Sequence, residues 1–114
     1  MEKKFIYSIL YDYYNALLKD NQATIIDLYY NQDYSLSEIA EDMNISRQGV
    51  HDALKRAEKS LMEYEEKIKL FYKYEKYQEA AENIIKLTAI IDDEKYNYII
   101  EQIRNEAVKI LNEG

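Results

Sequence analysis

The sequence predicts an all-α protein, a helix-turn-helix bundle followed by long C-terminal helices. Three observations lead there. Proline is absent and glycine occurs only at Gly49 and Gly114, so tight hairpins and phosphate-cradling loops lack their usual residues. Apolar residues recur at spacings of three and four, the period of a helix face. The polar clusters between those runs have the form of helix caps.

Ile6, Leu10, Tyr13 and Leu17 mark one face of a first helix over residues 3–19. Lys19, Asp20 and Asn21 interrupt the pattern and offer an N-cap. A short second helix turns Ile25, Leu28 and Tyr29 inward, and Asn31, Gln32 and Asp33 end it. Ser35-Leu36-Ser37-Glu38 has the form of a capping box, with Tyr34 and Ile39 at the staple positions. The third helix is short, with Ile39, Ala40 and Met43 inward. Asn44 tolerates the left-handed conformation needed for a tight turn. Ile45 is expected to be buried there, and Ser46 caps the next helix. Ile45 with Val50 makes a second staple pair.

From Ser46 no breaker other than Gly49 occurs for about thirty residues. Val50, Leu54, Ala57, Leu61, Tyr64, Ile68 and Phe71 alternate spacings of four and three, a heptad seam that predicts one long helix. A further helix carries Tyr77, Ala81, Ile84, Thr88 and Ile91. Asp92, Asp93 and Glu94 suit the positive end of a helix dipole and mark the start of the last helix. That helix shows Tyr96, Ile100, Ile103, Ala107 and Ile110. The expected organisation is a helix-turn-helix domain over residues 1–61 and a helical dimerisation region over 62–114.

Composition narrows the function. Fifteen Lys and Arg stand against 22 Asp and Glu, a net charge of −7. Cysteine is absent, which removes disulfides, thiol nucleophiles and thiolate metal sites. No apolar run reaches the length of a membrane span. The short FIYSILY run after Lys3 and Lys4 is Tyr-broken and lacks a small-residue cleavage site. A cytoplasmic protein that does not touch membranes is expected.

Residues 36–56, LSEIAEDMNISRQGVHDALKR, form a helix-turn-helix pattern. Ala40 is small where the two helices cross. Ile39, Met43, Ile45, Val50 and Leu54 form the shared apolar wedge. The second helix would enter a major groove N-terminus first. At 100° per residue, Val50, Ala53, Leu54 and Ala57 point inward. Gln48, Asp52, Lys55 and Lys59 point away, with Arg47 and His51 on one flank. Gln48 suits adenine, and Arg47 and Lys55 suit guanine or phosphate. Asp52 repels phosphate on the same face. From Ser46 to Lys59 four basic residues stand against two acidic ones. Duplex affinity draws chiefly on phosphate neutralisation, and this chain supplies little of it. A helix-turn-helix retained as a protein-interaction scaffold therefore stands beside a DNA-reading one.

The stretch from Asn21 to Ile68 resembles the YlxM family of helix-turn-helix proteins from low-GC Gram-positive bacteria. LYY at 28–30, YSLSEIAE at 34–41, ISRQGVHD at 45–52 and the Lys-Arg, Glu-Lys and Leu that follow are its hallmark words. The helix-turn-helix part is also similar to region 4 of bacterial sigma factors and to winged-helix domains. The family is encoded beside the genes for the signal recognition particle protein and its receptor, so the resemblance implies a regulatory role in that pathway. By motif position, the groove-facing, DNA-binding residues would fall on Ser46, Arg47, Gln48, His51 and Lys55. Gly49 and His51 depart from the usual Ala and Tyr. A glycine there loosens the recognition helix by about 1 kcal/mol relative to alanine.

Other chemistry has little support. His51 is the only histidine, and no Ser or Cys nucleophile is arranged with it, so no enzyme is expected. The runs at Glu63–Glu66 and Asp92–Glu94 lack the Gly-turned spacing of a calcium loop, and no metal or cofactor is expected. Of the 13 tyrosines, Tyr7, Tyr13, Tyr29, Tyr64 and Tyr96 fall at core or interface spacing. Tyr72, Tyr74 and Tyr77 are candidates for a protein-binding patch. The C-terminal seam predicts a homodimer, the alternative being a fold-back onto the first helix. Two functions follow. One is a regulator that reads double-stranded DNA through residues 46–55. The other is an adaptor that contacts the signal recognition particle protein or its RNA.

Overall fold

A computed structural model describes residues 2–112, and these are helical with no strand among them. The helices are α1 (Lys3–Tyr14), α2 (Asp20–Ile26), α3 (Leu36–Met43), α4 (Arg47–Ile68), α5 (Leu70–Ile90) and α6 (Asn97–Asn112). A 3-10 turn at Asn15–Leu17 follows α1, and a π turn at Asp27–Asn31 continues α2. The chain divides between Phe71 and Tyr72 into two compact units. The expected boundary at 61/62 falls inside α4, which runs unbroken to Ile68.

The first unit is built around α4, which packs against α1, α2 and α3. Its core joins Leu10, Tyr14 and Leu18 to Ile25, Ile26, Leu28 and Tyr30. Ile39 and Ala40 and the inner face of α4 complete it. The first helix is shorter than its periodicity suggests. At Asn15 it tightens into the 3-10 turn, and Asn15 Nδ2 donates to Tyr11 O at 2.9 Å. Just past the turn the backbone is extended at Leu18, φ −84°, ψ 154°, and Leu18 is buried in the core, while Leu17 is exposed where the α period expects it inward.

The π turn has the opposite effect. Gln32 N–H donates to Asp27 O five residues back. Asp27 accepts from Asn31 Nδ2 at 2.9 Å and Gln32 Nε2 at 2.7 Å, which fixes the wide turn. Tyr30 is buried in the turn, while Tyr29, expected inward, is half-buried.

The expected single helix after Ser46 is two helices. Lys69 takes φ 60°, ψ 35° and ends α4 in a left-handed cap, its N–H donating to Glu65 O at 2.8 Å. The heptad seam up to Phe71 is used within the first unit. Leu61 is buried, Tyr64 and Phe71 pack on the core, and Tyr64 Oη donates to Leu17 O. That is the fold-back alternative.

In the second unit α5 and α6 run antiparallel. Gln78 Nε2 donates to Ile110 O at 3.2 Å, and Arg104 Nε reaches Thr88 Oγ1 at 3.4 Å. Ala81 and Thr88 on α5, with Ile100 and Ala107 on α6, are its buried residues. Asp93 shapes the connection: its side chain accepts from Lys95 N–H, and its own N–H donates to Asn97 Oδ1. The acidic run thus precedes the last helix, as expected, with the helix itself starting at Asn97. Tyr96 is exposed there, not in a core.

Candidate nucleic-acid interface

The turn between α3 and α4 is built from local chemistry. Ser35 Oγ accepts from Glu38 N–H at 3.0 Å and Ser35 N–H donates to Glu38 Oε1 at 3.1 Å, a closed capping box. Asn44 takes φ 56°, ψ 46°. Its N–H donates to Glu41 O, and Ile45 N–H donates to Ala40 O at 3.0 Å. This pair of bonds is a Schellman ending, with Asn in the place glycine usually fills. Ser46 Oγ then accepts from Gly49 N–H at 2.9 Å and starts α4.

Ile45 is 43% exposed, against the expectation of burial. In this ending it stands opposite Ala40, and a single methyl covers little of an isoleucine. The wedge rests on Ile39, Val50 and Leu54, all buried, with Met43 packed against them.

Ser46, Arg47, Gln48 and Lys55 are exposed on the first turns of α4, and His51 is half-exposed beside them. Three of these polar side chains are engaged by neighbours. Gln48 Nε2 donates to Asp52 Oδ1 at 2.9 Å, and His51 Nδ1 lies 3.5 Å from the same oxygen. Lys55 Nζ lies 3.6 Å from Glu58 Oε2. Ser46 has its lone pair in the cap and keeps its hydroxyl proton to donate. Arg47 makes no ion pair among the described residues.

Glu58 is what sequence reasoning missed. It is 5% exposed, under the α4 face and not on it. Tyr30 Oη donates to its Oε1 at 2.6 Å, while Lys3 Nζ stands 3.5 Å from its Oε2. Burial first, then the bond to Glu58 and its negative charge, pushes the Tyr30 phenol far above its ordinary value. Burial, with the charge of Glu58 behind it, also raises Tyr7. The buried carboxylate therefore gathers two lysines from different helices, and Lys3 joins Lys55 at one edge of α4.

That arrangement changes the charge balance. Of the two acids between Ser46 and Lys59, only Asp52 faces outward. Arg47, Lys55, Arg56 and Lys59 are all exposed. Arg56 and Lys59 line a shallow concavity with Lys19. Among the described residues no three His, Asp or Glu are grouped to hold a metal ion. No helix among them is long and apolar enough to cross a membrane.

The comparisons with known proteins agree with this architecture. Residues 1–108 match the family model UPF0122, described as "Putative helix-turn-helix protein, YlxM / p13 like". A UPF0122 protein of Caldanaerobacter subterraneus subsp. tengcongensis is 53% identical over 85 residues, 74% of this chain and 73% of the relative. One from Thermoanaerobacter sp. is 43% identical over 111 residues, 93% of this chain and 95% of its own. One from Lacticaseibacillus casei is 38% identical over 111 residues, 96% of this chain and 98% of the relative.

Proposed function

The chain belongs to the UPF0122 family of YlxM/p13-like proteins, and on that premise we propose that it is a cytoplasmic regulatory protein that reads duplex DNA through α4. The observation that carries the reading is the inward turn of Glu58. Between Ser46 and Lys59 it leaves four exposed cations and one exposed carboxylate on the N-terminal part of α4. The N-terminus of α4 enters the major groove. Arg47 pairs with guanine or phosphate, and Gln48 exchanges Asp52 for adenine. Ser46, His51 and Lys55 hold the backbone. The family resemblance directs this regulation to the signal recognition particle pathway.

Fluorescence anisotropy with a randomised duplex tests it. Binding should weaken steeply with salt, and Arg47→Ala should weaken it further. No binding at low salt and micromolar protein would sink the reading.

A second reading has its own observation. Gln48 and Asp52 satisfy each other, and the whole chain carries −7. An adaptor that contacts the signal recognition particle protein or RNA needs no groove-reading residues. A crosslinked pull-down from the native cells separates the two. Discrete DNA fragments lost in Arg47→Ala favour the regulator. Particle components without DNA, retained in Gln48→Ala, favour the adaptor.

A further inference from the structure

The α5–α6 pair has an apolar side that nothing in its own unit covers. Toward α6, α5 presents Gln78, Ala81, Ile85 and Thr88, a stripe at spacings of three and four. Toward α5, α6 presents Ile100, Arg104 and Ala107. One position earlier in each helix lies a second stripe. On α5 it is Tyr77, Ala80, Ile84 and Leu87; on α6 it is Ile99, Ile103, Glu106 and Ile110. The preceding residue in a right-handed helix is rotated by 100°. In two antiparallel helices those rotations mirror each other, so both second stripes fall on the same side. The opposite side carries Glu75, Glu79, Glu82 and Glu101, all exposed.

Tyr77, Leu87, Ile99, Ile103 and Ile110 are each more than 40% exposed, and Ile84 is half-buried. Five side chains of this size present on the order of 550 Å², so two copies together pass the roughly 1,000 Å² of a specific interface. The buried residues within the unit are small or few, and two helices do not enclose a core. Two more helices with the same faces would close one.

We propose that this side is a homodimer interface, in which the α5–α6 pairs of two copies close into a four-helix bundle. A two-fold axis sets each apolar stripe against its own counterpart. Glu75, Glu79, Glu82 and Glu101 then point away from the contact, and the charge of Glu106 on the apolar side is met by Lys109 Nζ at 3.0 Å. The surface differs from the heptad seam, which the first unit already uses.

Light scattering of the full chain after gel filtration tests this, over a dilution series from high to low micromolar. The expected mass is twice the 13.7 kDa of one chain. Ile99→Glu with Ile103→Glu should raise the dissociation constant at least ~100-fold, because each carboxylate would be buried unpaired. Tyr77→Glu on α5 should act in the same direction, and Glu101→Lys on the opposite side should not. All these positions are exposed in the single chain, so helix content by circular dichroism should not change. A single-chain mass for the native protein throughout the series overturns the proposal. So does a dimer that the Ile99 and Ile103 substitutions leave intact while helix content is retained.

Discussion

Tyr14 Oη donates to Glu65 Oε1 at 2.7 Å, and the two side chains together cap a helix to which neither belongs. Leu70 N–H donates to Tyr14 Oη at 3.0 Å, and Phe71 N–H donates to Glu65 Oε1 at 3.1 Å. These are the first two N–H groups of α5, which would otherwise lack partners. A left-handed lysine costs about 1–2 kcal/mol of backbone energy, and these bonds offset it.

Tyr14→Phe should therefore lower stability by about 1–2 kcal/mol, since it strands the Leu70 N–H and one bond to Glu65. Urea unfolding followed by circular dichroism measures it. A midpoint equal to that of the native chain would show that water caps α5 equally well.

Glu58→Gln keeps an acceptor for Tyr30 and removes the charge that holds Lys3 and Lys55. Duplex affinity at low salt should rise several-fold, and the slope of log K against log salt should steepen by about one unit. An unchanged affinity and slope would mean that Lys55 does not meet phosphate.

The two caps of the helix-turn-helix give a third expectation. Ser35→Ala and Ser46→Ala should each cost about 1 kcal/mol in thermal or urea unfolding. Gly49→Ala gains helix propensity of at most about 1 kcal/mol. Its new Cβ would lie 3.1 Å from Ser46 Oγ, so part of that gain is lost to crowding. In the Ser46→Ala background the crowding is gone and Gly49→Ala should stabilise more than in the native chain. Equal gains in both backgrounds would refute the crowding argument.

Alkaline pH should unfold the protein. Burial, followed by the bond to Glu65, raises Tyr14, and burial with Glu58 raises Tyr30, both from an ordinary 10.0. A raised tyrosine pKa means that the fold favours the neutral phenol. Its stabilising effect is complete below pH 10 and is lost as pH climbs through the folded-state values. The urea midpoint should hold level up to pH 10 and then fall, with the phenolate absorbance of these two rings emerging only on unfolding. Tyr30→Phe should flatten the decline.

The capped turns were the most legible part of the sequence. Ser35, Glu38, Asn44 and Ser46 act through bonds to backbone a few residues away, so sequence neighbours determine them. The inward face of α4 followed from 100° geometry in the same way. What sequence did not disclose depends on distant residues. The break at Lys69 has no Gly or Pro to announce it and rests on Tyr14, more than fifty positions away. Glu58 sits at a phase between the inner and outer faces, and only Tyr30 and Lys3 turn it into a buried group. Leu17 and Tyr29 were expected inward because a constant 3.6-residue period was carried past the end of α1 and across a π turn.

The π turn at Asp27–Asn31 has one more consequence, for changes in chain length. A π turn holds one residue more than the α turn it replaces, so losing a single residue there shortens the loop without interrupting the helix. The five-residue bond would become an ordinary four-residue one, and the residues beyond the turn would keep nearly their present phase. The same loss inside α2 would swing every later residue by about 100° about the helix axis and carry Tyr30 away from Glu58. The π turn is thus the place in this segment where one codon can be lost with least effect on the anchor beneath α4.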